Sequence, residues 1–182
     1  MRITVVGRAT LGGGLGDLWE RAGHHVTRVG RDGGDVSDAD AVLMAVPGGA
    51  IADAFDRLRG FEGKTVIDAT NLVDVIPPGG FASNAEFVKS RTKGPTAKSF
   101  NVNYASLFGR LGEARARPGN LWCGDEEARE VVEQLNRDAG YDPVRIGPLE
   151  SAAAQESLIR VFFGIAEGIG PCVYRFAPVD QL

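Results

Sequence analysis

Short runs of apolar and β-branched residues punctuate the chain: RITVV, HHVTRV, DAVLMAV, KTVID and TAKSF, then NLWCG and PVRIG. Helical or glycine-rich stretches separate them, the alternation that predicts an α/β fold with a mostly parallel sheet covered on both faces. Between the first two runs Leu15, Leu18, Trp19 and Ala22 recur at helical spacing, and Gly23 supplies a stop. In GGAIADAFDRLRG the residues Ile51, Ala52, Phe55 and Leu58 share a face, and in DEEAREVVEQLNRDAG so do Ala128, Val131, Val132 and Leu135, with a stop at Gly140. Both stretches predict amphipathic helices laid on the sheet. The last predicted helix, LESAAAQESLIRVFFGIAEGIG, is apolar over most of its circumference beyond Leu158. Such a helix is buried deeply or covered by a second subunit.

One interval breaks the alternation. Arg31 to Asp40 reads RDGGDVSDAD, less than the dozen or so residues that a parallel crossover with a helix needs. The second crossover is therefore expected to be shortened. The glycine- and arginine-rich GRLGEARARPG is the expected boundary, dividing residues 1–118 from a smaller C-terminal part, 119–182, that completes the sheet and ends in a helix.

Charge and composition mainly exclude. The 182 residues carry 20 basic and 24 acidic side chains, a formal charge of −4, which offers no positive field for nucleic acid. Cys123 and Cys172 stand far apart without a CxxC or histidine-rich neighbour, so neither a disulfide framework nor a metal site is expected. The longest apolar stretch contains Arg160 and Glu167 and falls short of the ~20 residues that span a bilayer. A cytoplasmic protein with no membrane contact is expected.

Candidate chemistry begins at VVGRATLGGG. Gly7, Arg8, Ala9, Thr10, Leu11 and Gly12 keep the spacing of a GxGxxG dinucleotide turn, with alanine in the second glycine's place, after a strand and before a helix. In such a turn the first glycine permits the tight bend, the second lets the pyrophosphate approach, and the third lets helix and strand pack closely. N–H groups at the following helix start face an anion. The second strand ends in Arg31, suited to the 2′-phosphate of NADP, followed by Asp32, suited to the ribose of NAD. Arg8 adds a second cation, and the pair favours NADP.

Several landmarks together, AVP, DATN, SFN, CGD and GPL in that order, resemble the F420:NADP oxidoreductases, the NADPH-dependent reductases of the deazaflavin coenzyme F420. The resemblance extends over nearly the whole chain. It implies a Rossmann-type domain with a small C-terminal helical part, a homodimer, and direct hydride transfer between NADP(H) and a small-molecule electron acceptor, F420 or a flavin. Here the turn is one residue shorter than the family's, Gly30 precedes Arg31 where the family has serine, and Gly48 replaces a tryptophan. Hydride transfer needs two rings held face to face rather than an acid–base pair on the protein, so no catalytic side chain is expected. Ala45, Val46 and Pro47 are expected under the nicotinamide ribose, with Asn71 and Asn101 bonding the carboxamide or the acceptor, or simply forming turns. Gly48, Gly49, Asn103 and Tyr104 are expected at the acceptor, Gly48 leaving open the space where the family places a bulky ring and Tyr104 either stacking or packing in the core. Two other readings remain open: a reductase of another imine or carbonyl substrate, and an NADP-binding or interaction module without turnover.

Overall fold

The computed structural model describes residues 1–181. Strand β1 (Arg2–Val6) turns at Gly7 into helix α1 (Thr10–Arg21), which leads back to β2 (His25–Val29), parallel to β1. Gly23 closes α1 with a φ of 91°, and the N–H groups of Gly23 and His24 donate to the carbonyls of Glu20 and Trp19. That closure requires the left-handed region glycine enters without strain. Leu15 and Trp19 are wholly buried, and the Trp19 indole N–H donates to the Leu135 carbonyl at 2.9 Å.

No crossover helix follows β2. β3 (Gly34–Asp35) is only two residues long, and the next strand of the main sheet, β4 (Ala41–Met44), lies on the other side of β1. Helix α2 (Ile51–Phe55) then leads into β5 (Leu58–Arg59), which pairs in parallel with β3 as a separate two-stranded sheet. The sequence pattern runs one helix through Leu58. The helix instead ends at Phe55, and the same three apolar side chains, Ile51, Phe55 and Leu58, are buried from two elements.

β6 (Thr65–Asp68), helix α3 (Asn84–Thr92) and β7 (Thr96–Ser99) complete the parallel series. The sequence reading has no counterpart to α3, although a capping box marks it. Ser83 Oγ accepts from the Glu86 N–H at 3.1 Å, and Glu86 reaches back to the Ala82 N–H at 3.0 Å. Across the expected boundary the chain forms a 3₁₀ stretch, Ala105–Glu113, whose Phe108 and Leu111 join the core. β8 (Gly119–Gly124), helix α4 (Arg129–Asp138), β9 (Asp142–Gly147) and helix α5 (Ala152–Ile169) follow.

The sheet order is β2-β1-β4-β6-β7-β8-β9, all neighbours parallel except β7 and β8. This is a Rossmann-like α/β sheet, shortened at its β2 edge and extended by two reversed strands at the other. Among the described residues no helix is long and apolar enough to cross a membrane. Beyond Arg160, α5 buries Phe162 but leaves Val161, Phe163, Ile165 and Ile169 exposed.

Candidate functional site

Because the chain reverses its order across β1, a crevice opens at the carboxyl ends of β1, β2 and β4, where open α/β sheets take their ligands. A cleft of about 730 Å³ lies there, floored by Val6, Gly7 and Ala9 and walled by Gly30–Gly33, Ala45–Pro47 and α2. Gly7 has a φ of 108°, and a Cβ on it would stand 2.3 Å from the Ala45 carbonyl oxygen. Gly12 has no such φ, yet a Cβ there would stand 2.1 Å from the Gly7 carbonyl oxygen. One glycine supplies the bend and the other the close approach of helix to strand. Ala9 keeps an ordinary extended backbone, φ −72°, with its methyl exposed, so the position does not require glycine. Ala9 carries no side-chain cap and the first turn of α1 no acidic residue, leaving its first N–H groups without helical acceptors. Thr10 is exposed at the helix start, whereas Leu11 packs against the core.

Three guanidinium groups line the cleft, those of Arg8, Arg31 and Arg57, with the carboxylates of Asp32 and Asp53. Arg8 lies across Gly30: a Cβ on Gly30 would meet Arg8 Nη2 at 2.7 Å. The missing side chain at 30 is what lets Arg8 reach the tip of β2. Among the described residues none of the three arginines pairs with a carboxylate, while Arg28, Arg91, Arg129 and Arg137 all do. Asp53 and Arg57 lie outside the sequence-predicted set. Arg57 falls within the expected longer helix; α2 instead ends at Phe55, and Arg57 lines the cleft.

The far side of the carboxyl edge is closed. Gly48 is not the open space the sequence suggests: it is buried, and a Cβ on it would stand 2.1 Å from the Asn71 carbonyl oxygen. Asn101 is 3% exposed and its amide is consumed inside the protein. It donates to Asn71 Oδ1 at 3.0 Å and the Gln155 carbonyl at 3.2 Å, and accepts from Gln155 Nε2 at 2.8 Å. Asn71 donates in turn to the Asn101 carbonyl at 2.6 Å. These asparagines hold two strand-end loops together. Asn103 donates to Asn120 Oδ1 at 2.6 Å, and the Tyr104 hydroxyl donates to the Phe162 carbonyl. Both therefore face β8 and α5, not the cleft, and burial raises the Tyr104 phenol above its ordinary value. Of the expected acceptor residues, Gly49 borders a shallow depression of about 600 Å³ with Leu72, Val75, Ile76 and the Asp74–Arg160 pair.

Beneath this closed side lies a charge cluster the sequence reading did not find. Lys98, in the buried strand β7, is wholly buried and donates to Asp68 Oδ2 and Glu156 Oε1, each at 2.7 Å, and to the Thr70 carbonyl. Burial raises the Glu156 carboxyl above its ordinary value, the Asp68 charge acting the same way and the Lys98 charge against it. The neighbouring Cys123 thiol is pushed by burial to about 12. Asn84 donates its backbone N–H to Glu156 at 3.2 Å and its amide to the Gly48 carbonyl at 3.1 Å and Thr70 Oγ1 at 2.8 Å. The cluster thus fixes the loop after β4 from below.

No family model matches the chain. Over 128 residues it is 30% identical to Metalloreductase STEAP3 of Rattus norvegicus, an alignment covering 68% of this chain. The chain spans about a quarter of the length of that curated relative. Among solved structures it is similar to a proposed F420-dependent NADP reductase from Arthrobacter sp. FB24, with a TM-score of 0.78 and 20% identity over 98% of this chain and 99% of that one. It is also similar to an imine reductase from Myxococcus stipitatus solved with NAD⁺, with a TM-score of 0.66 and 14% identity over 92% of this chain and 61% of that one. At these identities the solved structures establish the fold.

Proposed function

We propose that the cleft binds NADP(H) and that the chain is an oxidoreductase passing hydride between NADPH and a planar small-molecule acceptor, the deazaflavin F420 or a flavin. The observation that carries this reading is the set of guanidinium groups, unpaired among the described residues, at the end of the β2 strand, beside a glycine turn and an uncapped helix start. The residues fit the cofactor. Gly7 and Gly12 bring backbone close enough for a pyrophosphate to meet the N–H groups of α1, and Arg8 and Arg31 pair a 2′-phosphate. When bound, NADPH supplies the hydride. Ala45, Val46 and Pro47 line the cleft and would form the wall under the nicotinamide ribose, the loop being held by the Asn84–Gly48 hydrogen bond. The acceptor is assigned to the Gly49 side of the same loop, since Gly48 has no room and Asn103 and Tyr104 face elsewhere.

The similarity to reductases supports this reading, as does the order of landmarks along the chain. The closed wall at Gly48 favours a second one, an NADP-binding module without turnover. Mixing the protein with stereospecifically deuterated NADPH and F420 or FMN decides between them: the label is expected in the reduced acceptor. Solvent hydrogen at the hydride-accepting carbon, in the absence of exchange, contradicts direct transfer. No reaction with any acceptor favours the module. A homodimer is proposed over the exposed apolar side of α5, and light scattering that finds a monomer at micromolar concentration contradicts it.

A further inference from the structure

The arginine that the fold alone brings to the cleft has a specific position. Arg57 lies at the start of β5, and its Nη1 donates to the Arg31 carbonyl at 3.2 Å. Its own carbonyl accepts from the Gly34 N–H at 3.1 Å. Gly33, with a φ of 74°, presses so closely on this junction that a Cβ would stand 2.0 Å from the Arg57 carbonyl oxygen. The small β3–β5 sheet therefore locks the loop after β2 to the loop after α2, in the interval where the sequence lacks a crossover helix.

We propose that Arg57 is a cofactor-specificity residue, delivered by this accessory sheet to share with Arg31 the phosphate that distinguishes NADP from NAD. The inference rests on the NADP(H) reading of the cleft. A guanidinium has five N–H donors, and Arg57 spends one on the Arg31 carbonyl. Among the described residues its remaining donors meet no carboxylate, although Asp32 and Asp53 line the same cleft. Arg91 shows the ordinary alternative nearby, pairing with Asp56 at 3.0 Å. Two cations that line one cleft repel each other, and a phosphate dianion accepts from both forks. Gly7 and Ala9 lie on the turn between β1 and α1, while Arg31, with Arg57 tied to its carbonyl, follows the end of β2, where the adenosine ribose lies in such folds.

The test is calorimetric titration of the full chain with 2′,5′-ADP and with 5′-ADP, which differ only in where the second phosphate is attached. The wild-type protein is expected to prefer 2′,5′-ADP. Arg57→Ala is expected to cut that preference about tenfold with 5′-ADP binding unchanged, and Arg57→Lys, which keeps the charge but loses the fork, to retain an intermediate preference. An undiminished preference in Arg57→Ala, with Arg31→Ala abolishing it, overturns the role of Arg57 and leaves the NADP(H) reading standing. Equal weakening of both ligands also overturns it, marking Arg57 as a loop tie only. Absence of any preference in the wild-type protein defeats the NADP(H) reading itself.

Discussion

The two halves of the carboxyl edge treat polar groups in opposite ways. Over β1, β2 and β4 the arginines stand in a cleft without carboxylate partners among the described residues. Over β6 and β7 the polar side chains are consumed by one another: Asn71 with Asn101, Asn101 with Gln155, and Lys98 with Asp68 and Glu156. Burying charge is costly unless it is paired, so the second half has the chemistry of a frame. The exposed cleft arginines find no such pairing among the described residues, so the proposed reading takes the first half as the binding site. On the proposed reading, the difference separates a region that holds shape from one that meets an anion.

Removing the frame's cation should have the largest effect. Lys98→Met leaves two buried carboxyls uncompensated, and a loss of about 3–5 kcal/mol is expected in chemical denaturation. Arg31→Ala, by contrast, should leave folding stability nearly unaltered, since exposed arginines contribute little. Gly12→Val comes next. The added side chain must displace the Gly7 carbonyl, and a loss of about 3 kcal/mol is expected from overpacking, with NADPH and NADH weakened alike in the folded fraction. Unchanged cofactor binding in a folded variant would show that the turn is not the site.

The smallest effect is one of pH. The Glu156 carboxyl is raised above its ordinary value of 4.5, chiefly by burial. The folded state therefore holds its proton more tightly than the unfolded state. Its contribution to stability is full below about 4.5 and is lost as pH rises through the raised folded value. Glu156→Gln, which mimics the protonated acid, is expected to remove this decline, so that the variant gains on the wild type as pH rises. Parallel stability curves from pH 4 to pH 8 would contradict the assignment.

The cleft half is more legible in the sequence than the frame. Gly7 and Gly12 announce themselves because a bend and a close backbone approach both exclude a side chain, and Arg31 follows from the end of the second strand. The missing crossover was readable from length alone. Two-residue strands leave no periodicity to detect, so the β3–β5 sheet was not foreseen, nor was Arg57. Lys98 sat unseen in TAKSF because a strand pattern does not reveal which polar residue finds partners across the sheet. Gly48 was misread because an absent side chain has two causes: open space, or a backbone already pressed against it, here that of Asn71. The short α3 buries the polar Asn84 and Thr92 on the same face as Ala85, Phe87 and Val88, which blurs its apolar stripe, although its Ser83–Glu86 box is there to be read.

The unpaired cleft arginines are tested most directly by titrating NADPH and NADH separately into the wild-type protein and Arg31→Ala. The wild type should bind NADPH more tightly than NADH. Arg31→Ala should lose about 1.5–3 kcal/mol toward NADPH and almost nothing toward NADH, the size of a charge-assisted contact to the added phosphate. Equal losses for both cofactors, or no binding of either to the wild-type protein, would contradict the account.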